Sequence, residues 1–338
     1  MADFVCIGDL HLDKLTKYWP DANRMQLACV RKVIKQNLFE GRKYFILLGD
    51  IGEGIRDSTG NKVRLSEDAQ VALLELFSEL DGKAFVDVLL GNHDLAEQGS
   101  HSLQIFIAAQ KAGFFKTIRF HEKPTVVKRG GTIVSILPFP HKVPPEHAQF
   151  AVGHYEVHGA VGDTGYKVSG DSHDFATPVI QGHLHTPQKV RNHHYPGTLY
   201  QLSFGEKLPK GFGLVRSTVE KFAYRWVQHE PPFELRNVRI EKPKDFNTLT
   251  ANPRILQKIF VQDDVAIPKD LLGKYPNIVN AVQYGNEKEL IALENAEIEL
   301  ESENAGFNHE EFLKPVLTTF GATKKQIARA LSILKDHL

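Results

Sequence analysis

Five short polar motifs carry carboxylate, amide or imidazole groups at spacings suited to holding cations. Gly-Asp-Leu-His supplies Asp9 and His11, two positions apart on one turn. Gly-Asp supplies Asp50, Gly-Asn-His-Asp supplies Asn92, His93 and Asp94, Gly-His supplies His154, and Gly-His-Leu-His supplies His183 and His185. Any one of these residues is accounted for as a turn former or a satisfied core histidine. Five separate turns presenting such groups by accident is a far poorer explanation. The chemistry that needs such a set is hydrolysis of a phosphate ester, which requires a nucleophile at neutral pH and relief of charge on the phosphoryl oxygens. Two divalent ions roughly 3.5–4 Å apart supply both, by lowering the pKa of water and clamping the attacking and leaving oxygens. A carboxylate such as Asp50 can bridge them. Oxygen and imidazole donors without thiolate suit manganese, iron or zinc better than calcium.

These motifs must be positioned by the elements before them. Residues 3–7, 44–48, 85–90 and 150–152 are short apolar runs that each end in one of the motifs, and they read as buried strands. Helical patterns at residues 22–38 and 66–80 lie between the first three strands, the second opened by Ser66 with acidic residues in its first turn. That alternation predicts an α/β fold, in which ligands gather at the carboxyl ends of strands. Residues 125–128 and 132–137 flank Arg129-Gly130-Gly131 as a hairpin, so the core is expected to be a layered, mixed β-sheet. Pro231-Pro232 breaks the pattern after the strand-like residues 221–228. The boundary is placed near 235, with a small α+β cap over residues 236–290 built from a strand, a helix and a strand at 254–261, 269–275 and 278–284. Residues 291–338 turn acidic at 297–303 and then show two helical patterns, 308–320 and 323–337, separated by Gly321. Ile327, Ala330, Leu331 and Leu334 form one apolar stripe on the second.

Composition bounds the class. A chain of 338 residues, 42% hydrophobic and 24% charged, has room for one large domain and a smaller one. Its 41 basic and 41 acidic residues leave no formal net charge, unlike a stand-alone nucleic-acid binder, so any DNA affinity must be local or borrowed from a partner. The two cysteines, Cys6 and Cys29, have neither disulfide-type nor metal-type spacing, which suits buried thiols in a reducing compartment. The first residues run straight into a strand pattern, and no apolar run approaches the ~18 residues of a membrane span. A cytoplasmic protein without membrane contact is expected, in the host cytoplasm if phage-encoded.

The order of the motifs, spanning residues 8 to 185, resembles the calcineurin-like metallophosphoesterase superfamily. The resemblance implies a metallophosphoesterase core holding two divalent ions, with manganese the expected metal. It places Asp9, His11 and His185 on one ion, Asn92, His154 and His183 on the other, and Asp50 between them. His93 then becomes the general acid that protonates the leaving oxygen, and Asp94 its orienting carboxylate. Within the superfamily the chain resembles most the SbcD-type nuclease subunits and their phage recombination-endonuclease counterparts, through GDLHL, VGHYEVHG, GHLHTPQ, YPGTLYQLSFGE and KGFGLV. That likeness implies a metal-dependent DNA exonuclease and endonuclease of recombination or repair, and makes residues 195–206 and 210–215 a strand leading from the active site toward a DNA-facing cap. It also implies an SbcC-type coiled-coil ATPase on the C-terminal helices, which would occupy Ile327, Leu331 and Leu334, with packing of the stripe on the chain's own core as the alternative. Two nuclease chains would pair as a homodimer within a heterotetramer, with Leu103, Phe106 and Ile107 as candidates for that contact or for ordinary core packing. After Asp50 the chain departs from the pattern, reading IGEGIRDSTGNKVRLS, where Arg56, Lys62 and Arg64 are candidate DNA contacts. A small-molecule phosphodiesterase or phosphatase sharing the cage is the alternative; a non-catalytic scaffold sits poorly with a complete ligand set.

Overall fold

The computed structural model describes residues 2–53, 55–56, 62–95, 102–143, 147–163, 165–169, 175–207, 209–295, 318 and 323–335. Its first strand, β1 (Ala2–Ile7), is apolar along most of its length because both of its faces are covered. Phe4 and Cys6 point into one core, and Val5 and Ile7 into another, as a side-chain period of two requires. The same division recurs on β2 (Tyr44–Leu47) and β5 (Phe85–Leu89). Ile46 and Leu89 face the first core; Phe45, Leu47, Val86 and Val88 face the second. β1, β2, β5 and β6 (Ile118–His121) run parallel, and β13 (Lys210–Ser217) and β14 (Phe222–His229) complete the sheet antiparallel in the order β14-β13-β1-β2-β5-β6.

A second six-stranded sheet lies against the first. Its order is β11 (Gln188–Val190), β12 (His193–Tyr195), β10 (Val179–Gln181), β9 (Phe150–Gly153), β8 (Thr132–Leu137) and β7 (Thr125–Arg129). Val134, Ile136, Phe150, Val152 and Ile180 from this sheet fill the shared core with Phe4, Cys6, Ile46 and Leu48 from the other. The far face of the first sheet is covered by α1 (Ala22–Phe39), α2 (Glu67–Leu80) and α3 (Gln104–Lys111). Ser66 caps α2, its hydroxyl accepting from Ala69 N at 3.2 Å, with Glu67 and Asp68 following in the first turn. The fold is thus mixed α/β in layers, as expected, with two facing sheets contributing motifs.

A third sheet, β15 (Glu234–Ile240), β16 (Ile255–Gln262) and β17 (Ile278–Tyr284), is wholly parallel and has its own small core of Val238, Ile240, Ile259, Val261 and Ile278. β15 is a strand beyond those expected; it follows shortly after Pro231-Pro232 and spans the point near 235 where the boundary is expected. The helix between β16 and β17 is the single turn α4 (Leu271–Lys274), and α5 (Glu287–Asn295) follows β17. Of the strand expected over 195–206 and 210–215, the second segment is present within β13, whereas β12 ends at Tyr195 and Pro196 to Lys207 form a packed loop.

The expected helix at 308–320 falls outside the described residues, except for Thr318. The next one is present as Lys324–Lys335 and packs on α3. Ile327 is only 7% exposed and belongs to the main core, so this member of the partner-facing stripe is covered by the chain itself. The side chains of Leu331 and Leu334 are outside the described residues. Leu103, Phe106 and Ile107 are likewise core residues, buried in the same cluster rather than forming a pairing surface.

Candidate metal centre

All five motifs lie just past the carboxyl ends of strands, three from the first sheet (β1, β2, β5) and two from the second (β9, β10). Short hydrogen bonds lace these turns together. Leu10 N and His11 N both donate to Asp50 O at 2.9 Å, His93 N donates to Asp50 Oδ1 at 2.8 Å, and His183 N donates to Asp9 Oδ1 at 3.0 Å. The packing leaves no room for a β-carbon at Gly182, where it would come within 2.3 Å of Leu48 O and 2.7 Å of His154 Nδ1. His11, Asp50 and His183 adopt positive φ of 44°, 47° and 80°. Such backbone costs a non-glycine residue about 1–3 kcal/mol, and it clusters at functional sites. Here three of the seven expected ligands share it.

The ligand atoms gather into two neighbouring groups. In one, His11 Nε2 and His185 Nε2 face each other at 3.2 Å, with Asp50 Oδ2 3.5 Å from His11 Nε2. In the other, His154 Nε2 and His183 Nδ1 both point at Asn92 Oδ1, at 2.9 and 2.8 Å, with the same Asp50 Oδ2 at 3.1 Å from His154 Nε2. His154 Nδ1 lies 2.7 Å from Leu48 O, an atom that can only accept, so Nδ1 carries a proton and Nε2 is the nitrogen turned inward. Glu206 Oε1 and Asp163 Oδ2, 2.8 and 2.9 Å from His185 Nδ1, fix that ring in the same way. Asp9 Oδ2 is buried without a hydrogen-bond partner among the described residues. Buried polar atoms are normally satisfied, so this carboxylate oxygen, in a pocket that Asp9 shares with Asp50, His154 and His185, marks a place shaped for a cation. The residues present therefore fit divalent metal ions.

Charge in the pocket follows from burial and crowding. Burial, with Asp50 nearby, pushes Asp9 up to about 6. Burial pulls His154 down, but the Asp50 carboxylate outweighs it and lifts the ring to about 9. Burial alone would raise Glu53, yet hydrogen bonds from His11 and His93 hold its carboxyl well below the usual range.

Glu53 was not singled out by its sequence context. One oxygen lies 2.6 Å from His11 Nδ1 and the other 2.9 Å from His93 Nδ1, so a single carboxylate orients both an inward-facing imidazole and the candidate acid. Asp163 and Glu206 were missed as well. Glu206 sits in the loop after β12, where Lys210 Nζ, itself fully buried, holds its second oxygen at 2.6 Å. The same loop presses against the first motif: Tyr200 donates to Leu10 O at 2.9 Å, and a β-carbon on Gly8 would strike Gly197 O. The YPGTLYQLSFGE and KGFGLV motifs thus buttress the centre.

Asp94 does not orient His93. Its carboxylate accepts from Ile51 N at 2.9 Å, Gly52 N at 3.2 Å and Gly91 N at 2.8 Å, pinning the turns after β2 and β5 to each other. Burial first, then the Asp50 charge, raises it to about 7. Asp94→Ala would leave these buried amides without an acceptor, at about 1–3 kcal/mol for each such group. A stability loss of at least ~2 kcal/mol in chemical denaturation is expected, and an unchanged midpoint would contradict this role.

The calcineurin-like phosphoesterase family pattern matches residues 2–187, more than half of the chain and every motif of the centre. The chain belongs to this family. It is therefore a hydrolase of phosphoester bonds, from a family that works with divalent metal ions. Among curated proteins it is similar to exonuclease subunit 1 of Enterobacteria phage T4, 24% identical over 230 residues. That match covers 64% of this chain and 65% of the phage protein, which is less than two thirds of the latter. Among solved structures it is similar to Yfce, a phosphoesterase from E. coli, at 15% identity and a TM-score of 0.31, covering 63% of this chain and 88% of that one. A protein of unknown function from Aquifex aeolicus matches at 14% identity and a TM-score of 0.25, covering 46% and 80%.

The remaining candidates lie elsewhere or are only partly described. Arg56 and Lys62 pair in the two-stranded hairpin of β3 (Ile55–Arg56) and β4 (Lys62–Arg64), but their side chains are outside the described residues. Arg64 is partly buried, which lowers its pKa. Among the described residues no helix is long and apolar enough to cross a membrane.

Proposed function

We propose that the chain is the nuclease subunit of a DNA recombination or repair complex, hydrolysing phosphodiester bonds as an exonuclease and endonuclease. The observation that carries the chemistry is the position of Asp50 Oδ2, 3.5 Å from His11 Nε2 and 3.1 Å from His154 Nε2, where one oxygen can serve two cations. Asp9, His11 and His185 would hold one ion and Asn92, His154 and His183 the other, with Asp50 shared. When bound, divalent ions, here proposed to be manganese, lower the pKa of water and offset charge on the phosphoryl oxygens. His93 donates a proton to the leaving oxygen from Nε2, and Glu53 on Nδ1 sets its tautomer and direction. DNA as substrate is supported by the likeness to the phage exonuclease subunit and by the SbcD-type motifs around residues 195–215.

In this reading residues 1–235 form the nuclease domain, 236–290 cap the DNA path, and 291–338 engage an SbcC-type ATPase in a heterotetramer built on a nuclease homodimer. The absence of net charge fits a subunit that borrows DNA affinity. Arg56, Lys62 and Arg64 on the β3–β4 hairpin would touch phosphates. The test is manganese-dependent digestion of labelled linear duplex DNA, with a small phosphodiester in parallel and with or without the cognate ATPase. Degradation of the duplex is expected; hydrolysis of the small ester alone, even with the ATPase present, would overturn the nuclease reading.

A further inference from the structure

Beside His183 lies an open cavity of about 360 Å³ that the cage itself does not use. Phe139, Lys142, Glu156, Tyr166, Lys167 and His183 are among the residues that line it. Its most prominent group is Tyr166, which is 49% exposed yet held in one orientation. The Tyr166 hydroxyl donates to Glu156 Oε1, and the same oxygen lies 3.4 Å from His183 Nε2. The ring rests directly on Gly162, where a β-carbon would sit 1.9 Å from Tyr166 Cε1. Gly162 N donates to Tyr166 O at 2.9 Å, and Val161 bridges to Lys167, so the turn carrying the ring is tied across its base. Asp163 in the same turn accepts from His185 N at 3.0 Å and lies 2.9 Å from His185 Nδ1. The aromatic platform is therefore fixed to the metal centre from two sides, through Asp163 to His185 and through Glu156 to His183.

An exposed tyrosine with no freedom to turn, one residue removed from a metal-ligating imidazole, is built to receive a flat partner. Two lysines at the rim and one carboxylate already engaged by a hydroxyl leave the cavity suited to an anion-bearing ligand. We propose that this pocket takes the unpaired base of the nucleotide whose phosphate occupies the centre, stacked on the Tyr166 ring, with Lys142 and Lys167 reaching the adjoining backbone phosphates. The inference rests on the nuclease reading and narrows it: the substrate is a nucleoside phosphodiester presented with its base out of the duplex, as at a frayed end or a loop. Stacking on an aromatic side chain is sequence-tolerant, because every base offers a π-face.

The test compares kcat/KM for thymidine 5′-(p-nitrophenyl phosphate) with that for methyl p-nitrophenyl phosphate, both with manganese. Wild type is expected to prefer the nucleoside ester. Tyr166→Ala is expected to cut the ratio of the two values by roughly 5- to 150-fold, the size of ~1–3 kcal/mol of stacking. Tyr166→Phe and Tyr166→Trp, which keep a ring, should retain most of the ratio. A wild-type preference that survives Tyr166→Ala overturns the pocket alone, and so does a loss in Tyr166→Phe as large as in Tyr166→Ala, which would assign the effect to the hydroxyl on Glu156. A wild type with no preference for the nucleoside ester also overturns the pocket, whereas the nuclease reading falls only if linear duplex DNA is left undigested.

Discussion

Asp50→Ala is expected to empty both metal positions and to reduce phosphodiester hydrolysis by about 10³-fold or more. One oxygen of Asp50 faces both groups of histidine nitrogens, and the other accepts the backbone N–H of His93. Removing it would withdraw the proposed shared ligand and a carboxylate that lies between two sets of imidazoles. Metal-ion stabilisation of the transition state is worth several kcal/mol, and each 1.36 kcal/mol is a factor of ten in rate. Metal content after dialysis against manganese, alongside hydrolysis of a small ester, checks both parts. Asp50→Asn keeps the shape and the bond to His93 N, and separates the charge from the fold. Retention of two tightly held ions in Asp50→Ala would show that the carboxylate is not shared.

His93→Ala is expected to lower kcat by ~10²- to 10⁴-fold while the protein still binds two ions, the usual worth of general acid–base catalysis. The imidazole stands outside both ligand groups and is about one-third exposed, and its ring is steered by Glu53 rather than by Asp94. The leaving group tells an acid from a structural residue. An alkoxide needs a proton as it departs, whereas p-nitrophenolate does not, so the defect should be far larger for an alkyl leaving group. Equal losses on the two substrates would remove the acid role, and loss of an ion would reassign His93 to the cage.

The convergence of the seven candidate ligands was legible because each falls on the first residues after a buried strand, where chain direction and strand end leave little choice of placement. Asp9 follows β1, Asp50 follows β2, and His154 follows β9 by local geometry alone. Glu53, Asp163 and Glu206 were not legible, because none belongs to a strand-end motif: Glu53 is turned in where its N–H bonds Leu12 O, and Glu206 meets His185 across 21 residues. Asp94 was misread for a related reason: its neighbour in sequence is His93, but its carboxyl group turns back toward the amides of Ile51, Gly52 and Gly91. The apolar spacing of Leu103, Phe106, Ile107 and Ile327 marked residues that must be covered, without saying that they cover one another's core. The pairing of two sheets was hidden too, since strands buried on both faces look alike whichever layer lies beyond.

The centre takes Asp9, His11, Asp50 and Asn92 from the first sheet and His154, His183 and His185 from the second. Ion binding and docking of the two sheets are consequently a single equilibrium viewed from two ends. An ion that recognises only the docked arrangement stabilises it by RT ln(1 + [M]/Kd), about 2.7 kcal/mol at a hundred times Kd. Metals held there would act as clasps across the sandwich as well as reagents, and the resistance of this protein to unfolding is expected to rise with the metal concentration around it.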